Sequence, residues 1–314
     1  MTQRPSRARA ARAVLLPARA AALAAAIAAA APPPAAADGA PPPLRCGTGI
    51  HAGEASGWVW LPQGDVFCPL IADPKGTRSH LTYLRGELPA DTGARNVGSV
   101  GIADGMGLVR VGRSAPGDGV QLGIEAGVFA QFDLGTRSAD LLNSDWVIGF
   151  PITFRVGGLS GRLRVWHQSS HLGDEFLARA GAEVTNEGLS FEAVEAMFSQ
   201  ELGAFRAYAG VEYLLDATPS TLDPVVLHGG AELRLGPVRG PRLVAALDVK
   251  AAEQRGFEPA YSARAGVEIA HWSSPAHPPR VIAVLAEYYE GPSPFGQFFT
   301  DQSRTFGFGF HFQR

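Results

Sequence analysis

Residues 120–134 read VQLGIEAGVFAQFDL, in which Val120, Leu122, Ile124, Ala126, Val128, Ala130, Phe132 and Leu134 occupy every second position and Gln121, Glu125, Gln131 and Asp133 stand between them. Side chains alternate across a strand, so this stretch carries one apolar face and one largely polar face. Ordinary strands run to about five or six residues, whereas a tilted transmembrane strand needs about nine to eleven. The alternation returns further along. Trp146, Ile148, Phe150, Ile152, Phe154 and Val156 oppose Thr153 and Arg155, and Phe205, Ala207, Ala209, Val211 and Tyr213 oppose Arg206 and Glu212. In later segments Glu232 and Arg234, Asp248 and Lys250, and Arg264 and Glu268 lie opposite the apolar residues. The pattern predicts an all-β chain, a transmembrane antiparallel β-barrel of about 12 strands with lipid on the apolar side and charges of both signs in the lumen. A soluble sandwich uses the same alternation with the apolar face turned inward, and periodicity alone does not separate the two.

Spacing and termini favour the barrel. Strands are expected at 79–88, 97–112, 119–134, 145–157, 160–171, 188–202, 204–215, 225–235, 241–252, 260–270, 280–290 and 303–312. The turns at Gly157-Gly158-Leu159, Leu202-Gly203 and 236–240 are short, while the links 135–144, 172–187, 216–224 and 291–302 are longer, as periplasmic turns and extracellular loops are. The link HWSSPAHP from His271 is long for its side. Phe306, Phe308, Phe310 and Phe312 share one face of the last segment, an apolar row that a soluble domain would not leave exposed. It is similar to the terminal signal read by the outer-membrane assembly machinery, an expected partner, although Gln313-Arg314 follow the last aromatic. Trp146, Tyr213, Tyr261, Trp272, Tyr288 and Tyr289 near strand ends are expected to form an interfacial girdle.

Residues 1–37 read as a signal peptide: five arginines, the apolar run Ala20 to Ala31, and Ala35-Ala36-Ala37 before Asp38. Cleavage there takes the formal charge from −3 to about −8, leaving no basic footprint for nucleic acid. Residues 38–78, rich in Pro and Gly, are expected to form an irregular N-terminal periplasmic segment, and 79–314 the barrel in a bacterial outer membrane. Cys46 and Cys68, the only cysteines, are expected to form a disulfide in the oxidising compartment that export implies. No structural metal and no cofactor are expected.

The stretches PLIADPK (Pro69 to Lys75), WHQSSHLGDEF (Trp166 to Phe176) and YYEGPSPFGQF (Tyr288 to Phe298) resemble the domain-of-unknown-function family 1207, taken to consist of outer-membrane proteins. The resemblance spans most of the mature chain. It implies a barrel and assigns no activity.

One constellation could perform chemistry. Parity along 160–171 puts Leu163 and Val165 on the lipid side, so His167, Ser169 and His171 continue that outward row. A histidine two residues from a serine on one face can act as base and nucleophile if a third group orients the imidazole. The arrangement is similar to the His-x-Ser motif of outer-membrane phospholipases and lipid A deacylases; there an Asn follows the Ser, and here Ser170 stands in its place. The third member must come from the next loop or strand, where Asn186, Glu187 and Glu192 are candidates and Glu187 completes the expected set. His171, Asp174 and Glu175 form a second candidate group for a headgroup or cation; calcium would need further oxygen ligands, such as loop carbonyls, beyond these carboxylates. The expected function is a structural or binding barrel or narrow pore, in contact with outer-membrane lipid and monomeric or weakly dimeric. The alternative is a lipid ester hydrolase using Ser169 with His167 as base. A wide channel is disfavoured because twelve strands enclose a small interior that charged side chains partly fill.

Overall fold

The computed structural model describes residues 57–62, 64–88, 95–112, 118–180, 188–237, 240–271 and 280–313. Among them run thirteen strands: β1 (Gly57–Trp60), β2 (Ser79–Glu87), β3 (Asn96–Gly112), β4 (Gly119–Asp133), β5 (Asp140–Val156), β6 (Leu159–Leu172), β7 (Leu189–Leu202), β8 (Phe205–Thr218), β9 (Val225–Leu235), β10 (Gly240–Ala252), β11 (Pro259–His271), β12 (Arg280–Pro292) and β13 (Gln302–Gln313). From β2 onward each strand pairs antiparallel with the next, and β13 returns to β2 with Phe312 opposite Ser79 and Arg304 opposite Glu87. The result is a closed barrel of 12 strands, with β1 as an extra strand laid along Val109–Gly112 at the end of β3. Closure leaves no lipid-facing helix or free long edge to explain: no described helix is long and apolar enough to cross a membrane, and closed barrels satisfy the backbone in lipid through their ladders.

Parity gives the barrel its two chemistries. In β4 every odd residue from Gly119 to Asp133 is buried and the even, apolar residues face out, so the apolar face of the opening stretch is the outer wall. The phenylalanines of β13 continue that wall, while His311 between them is completely buried in the lumen. Two strands outrun the expected ranges by three residues or more at one end. β5 begins at Asp140, not 145, and β8 reaches Thr218, not 215. Residues 140–145 read DLLNSD and show no alternation, yet Asn143 and Asp145 are buried inside and hydrogen-bonded to one another at 3.0 Å. Of the expected girdle, Trp146, Tyr213, Tyr261 and Tyr288 are exposed on the outer wall. Tyr289 is a correction: it faces the interior and donates to the carbonyl of Pro292, because its register places it one residue out of phase with Tyr288. Trp272 lies outside the described residues.

Part of the lead-in expected on the periplasmic side, residues 64–78, instead lies inside the barrel. From Gly64 the chain runs through the barrel interior. Val66, Phe67, Cys68, Leu70, Ile71 and Ala72 are buried, and the wall reads the plug's backbone in sequence. Arg110 donates to the carbonyl of Gly64 at 2.7 Å, Arg155 to that of Val66 at 2.9 Å, Arg206 to that of Cys68 at 3.0 Å and Arg264 to that of Ile71 at 2.8 Å, while Ile71 N donates to Glu232 at 2.7 Å. An irregular segment buried without such partners would forfeit the desolvation energy of every peptide group. The lumen charges are thus ligands for an internal backbone as well as for each other. Phe67 sits between the guanidinium groups of Arg162 and Arg206, 5.1 and 4.8 Å from its ring centre. Cys46 lies outside the described residues; Cys68 is fully buried, with Arg155 3.2 Å from its Sγ.

At the rim carrying the longer links, the mouth is capped. The helix α1 (Asp174–Ala180) and the segment 293–301 meet there, and Phe176 and Phe298 pack edge to face at 5.8 Å over Leu84, Leu142 and Leu172.

Candidate functional site

The expected outward row on β6 is present. Leu163, Val165, His167, Ser169 and His171 alternate with the inward Arg162, Arg164, Gln168 and Ser170. Register then decides the third residue. His167 lies directly across from Ile148 on β5 and Glu192 on β7, and Ser169 across from Trp146 and Ser190. Directly opposed residues on one sheet face have Cβ atoms about 4.5–5.5 Å apart, close enough for a side-chain pair. His167 Nδ1 donates to Glu192 Oε1 at 2.8 Å. Both side chains are partly open on the wall, at 38% and 50% exposure, and so can be reached from the lipid phase.

A carboxylate only accepts hydrogen bonds, so the Nδ1 partner of Glu192 carries the proton when the imidazole is neutral. The lone pair is then on Nε2, which is the form a general base requires. Ser169 Oγ makes no hydrogen bond to the described residues, His167 included. Catalytic hydrogen bonds are often long before substrate binds. Ser169 follows His167 by two positions on the same face of one strand, a separation of about 6.6 Å along the backbone at 3.3 Å per residue.

Glu187 and Asn186 lie outside the described residues, and Glu192, the third of the expected partners, is the one that meets the histidine. The second candidate group is not assembled. His171, Asp174 and Glu175 are exposed and make no hydrogen bond or ion pair among the described residues. Arg179, a natural partner for the two acids on its own helix, is instead 3.0 Å from Asp140 and 3.3 Å from Asp133. No group of three or more His, Cys, Asp or Glu among the described residues is placed to hold a metal ion.

The lumen-facing charges, by contrast, are densely paired. Arg164 spans Glu125 at 2.6 Å and Glu195 at 2.7 Å, and Glu195 also takes Arg162 at 2.7 Å. Arg206 and Arg234 share Glu232, Arg264 pairs with Glu287, and Lys250 holds Asp73 of the plug at 2.8 Å. Asp145 joins three parts of the molecule: Lys75 of the plug at 2.8 Å, the hydroxyl of Ser170 at 2.5 Å, and the backbone N–H of Gly296 in the cap.

A lipid-facing apolar wall around a charged, occluded lumen defines an outer-membrane-type β-barrel. The barrel is similar in fold to outer membrane phospholipase A from Escherichia coli (TM-score 0.51, 11% identity, 74% of this chain and 89% of that one). It is likewise similar to the Salmonella typhi outer membrane phospholipase, solved as a dimer with bound calcium (TM-score 0.52, 13% identity, the same coverage). An active-site asparagine-to-alanine variant of the Escherichia coli enzyme matches equally well, at 10% identity and TM-score 0.51. The chain belongs to the family described as Protein of unknown function (DUF1207), whose model matches residues 34–314. No curated protein matches the sequence.

Proposed function

We propose that this outer-membrane barrel hydrolyses acyl esters of membrane lipids, with Ser169 as nucleophile, His167 as base and Glu192 as the residue that orients the imidazole. The observation that carries this reading is the 2.8 Å bond from His167 Nδ1 to Glu192 on the same outward row that bears Ser169. In the reaction, Nε2 of His167 takes the Ser169 hydroxyl proton as Oγ attacks the ester carbonyl, and returns it to the departing lysolipid oxygen. Water, deprotonated by the same Nε2, then releases the fatty acid from Ser169. Ser190, cross-strand from Ser169, is the outward hydroxyl assigned to the carbonyl oxygen as it gains charge. Export through residues 1–37 and a Cys46–Cys68 disulfide belong to the same proposal. So does outer-membrane insertion with the long-link rim facing outward, which sets the row on the outer-leaflet side. The likeness to outer membrane phospholipases A supports a lipid as substrate.

The pore reading is opposed by the occupied lumen, where residues 64–78 and their wall partners obstruct the path. The deciding assay presents purified, folded protein with ester-linked phospholipid and its ether-linked analogue. Acyl release from the ester alone, lost in Ser169→Ala and His167→Ala by about 10⁴-fold or more, is the expected result. No release from any ester lipid by the unmodified protein removes the proposal.

A further inference from the structure

Between the plug turn at Asp73–Thr77 and the cap at Ser293–Phe299 the lumen holds a cavity of about 220 Å³, reaching the rim beside Gln254 and Arg255. Trp166, Phe191 and Tyr289 give it aromatic walls, and His228, Lys250 and Glu212 add polar ones. It lies inside the wall, with no part in the outward row of His167 and Ser169. Ligand pockets for drug-sized molecules run to about 300–1,000 Å³, so this space suits a smaller guest.

The charges around it are matched with one exception. Lys250 is on Asp73, Lys75 on Asp145, Arg164 between Glu125 and Glu195, and Arg255 3.5 Å from Glu258. Asp248 has His228 at 2.6 Å and the Tyr208 hydroxyl at 2.7 Å. Glu212 makes no direct ion pair with the described residues: its Oε2 accepts the indole N–H of Trp166 at 3.1 Å, its Oε1 makes no hydrogen bond to them, and Arg164, Lys250 and His228 act on it only through space, being already engaged with other acids. A carboxylate beside aromatic rings, in a confined space and without a directly bonded cation, is the chemistry that recognises an ammonium group. The carboxylate supplies the ion pair and the ring faces attract the same charge. The Trp166 ring already carries the Arg164 guanidinium, 4.7 Å from its centre, so Phe191, edge to face with it at 5.1 Å, offers the apolar surface next to that carboxylate.

We propose that this cavity is a binding site for a small organic cation, a primary amine with an apolar or aromatic remainder, whose ammonium group pairs with Glu212. The remainder lies against Phe191 and Tyr289, and entry is from the rim at Gln254. The proposal is independent of lipid hydrolysis, since the two sites face opposite sides of the sheet.

The test is calorimetric titration of the full-length, detergent-folded protein with benzylamine, its neutral counterpart benzyl alcohol and the anion benzoate, each corrected for empty micelles. Benzylamine is expected to bind saturably, at least about tenfold more tightly than benzyl alcohol, and benzoate not at all. Glu212→Gln should weaken benzylamine by about tenfold or more, and Ser169→Ala should leave it unchanged. Absence of saturable benzylamine binding, equal binding of the alcohol, or an unchanged Glu212→Gln affinity overturns the proposal. Should Glu212→Gln fail to fold, as judged by heat-modifiable migration, the three-probe comparison on the unaltered protein decides alone.

Discussion

His167 stands where a barrel normally presents leucine or valine, and its one carboxylate partner fixes which nitrogen is free. Replacing Glu192 by Ala removes that constraint and should lower acyl-release turnover by about 10²–10⁴-fold. Glu192→Gln, whose amide oxygen still accepts from Nδ1, should recover a measurable part. Stability should hardly move in either variant, because exposed ion pairs contribute about 0–1 kcal/mol; chemical unfolding of the two variants checks this. Ser190→Ala should cost about 10–10³-fold in kcat with little change in KM if its hydroxyl meets the developing oxyanion. His167 and Ser169 were legible from parity alone, since one apolar neighbour of known orientation, Leu163, fixes every second residue on its strand. Glu192 was not separable from Glu187 by that means. Parity says which face a residue is on, whereas the pairing of Glu192 with His167 depends on the register of β7 against β6, which two-residue periodicity does not contain.

The strands themselves were readable wherever alternation held, and β5 ran long where the inward polar residues Asn143 and Asp145 continue the ladder. β6 and β7 are tied on the lumen side by the buried Arg162 and Glu195 and the partly buried Arg164. Removing that carboxylate leaves the buried Arg162 guanidinium without its acid beside Arg164, which keeps Glu125, so Glu195→Ala should destabilise the folded barrel by about 3–5 kcal/mol. The shift is measurable by chemical unfolding in detergent, and a loss below about 1 kcal/mol would mean water reaches this trio freely. The cap offers a steric test. A Cβ at Gly296 would come within 1.9 Å of Ser170 Oγ and 2.6 Å of Asp145 Oδ1, so Gly296→Val must push the 293–301 segment off its seat. Faster hydrogen exchange over 293–301, with β12 and β13 unchanged, is the expected readout.

At the scale of the whole molecule, the barrel class followed from composition and pattern and the plug did not. PLIADPK has no period to read, and what holds it are arginines and acids far away in sequence whose aim is set only once the sheet closes. An obstructed lumen predicts negligible single-channel conductance in planar bilayers, and deletion of residues 64–78 should convert the same barrel into a conducting one; a conducting full-length protein would contradict the occlusion. The wall also makes a demand on the order of folding. Residues 64–78 lie inside a cylinder whose seam, β13 against β2, is sealed by the segment synthesised after everything else described, and β2 itself begins where the plug ends. Threading a bulky, hydrogen-bonded segment through a finished tube would require breaking its contacts one by one. Wrapping the sheet around it does not. Contacts made before the seam seals predict that a chain deprived of Arg206 and Arg264, which hold the carbonyls of Cys68 and Ile71, closes more slowly even where the finished barrel is sound, read as slower onset of heat-modifiable migration during refolding.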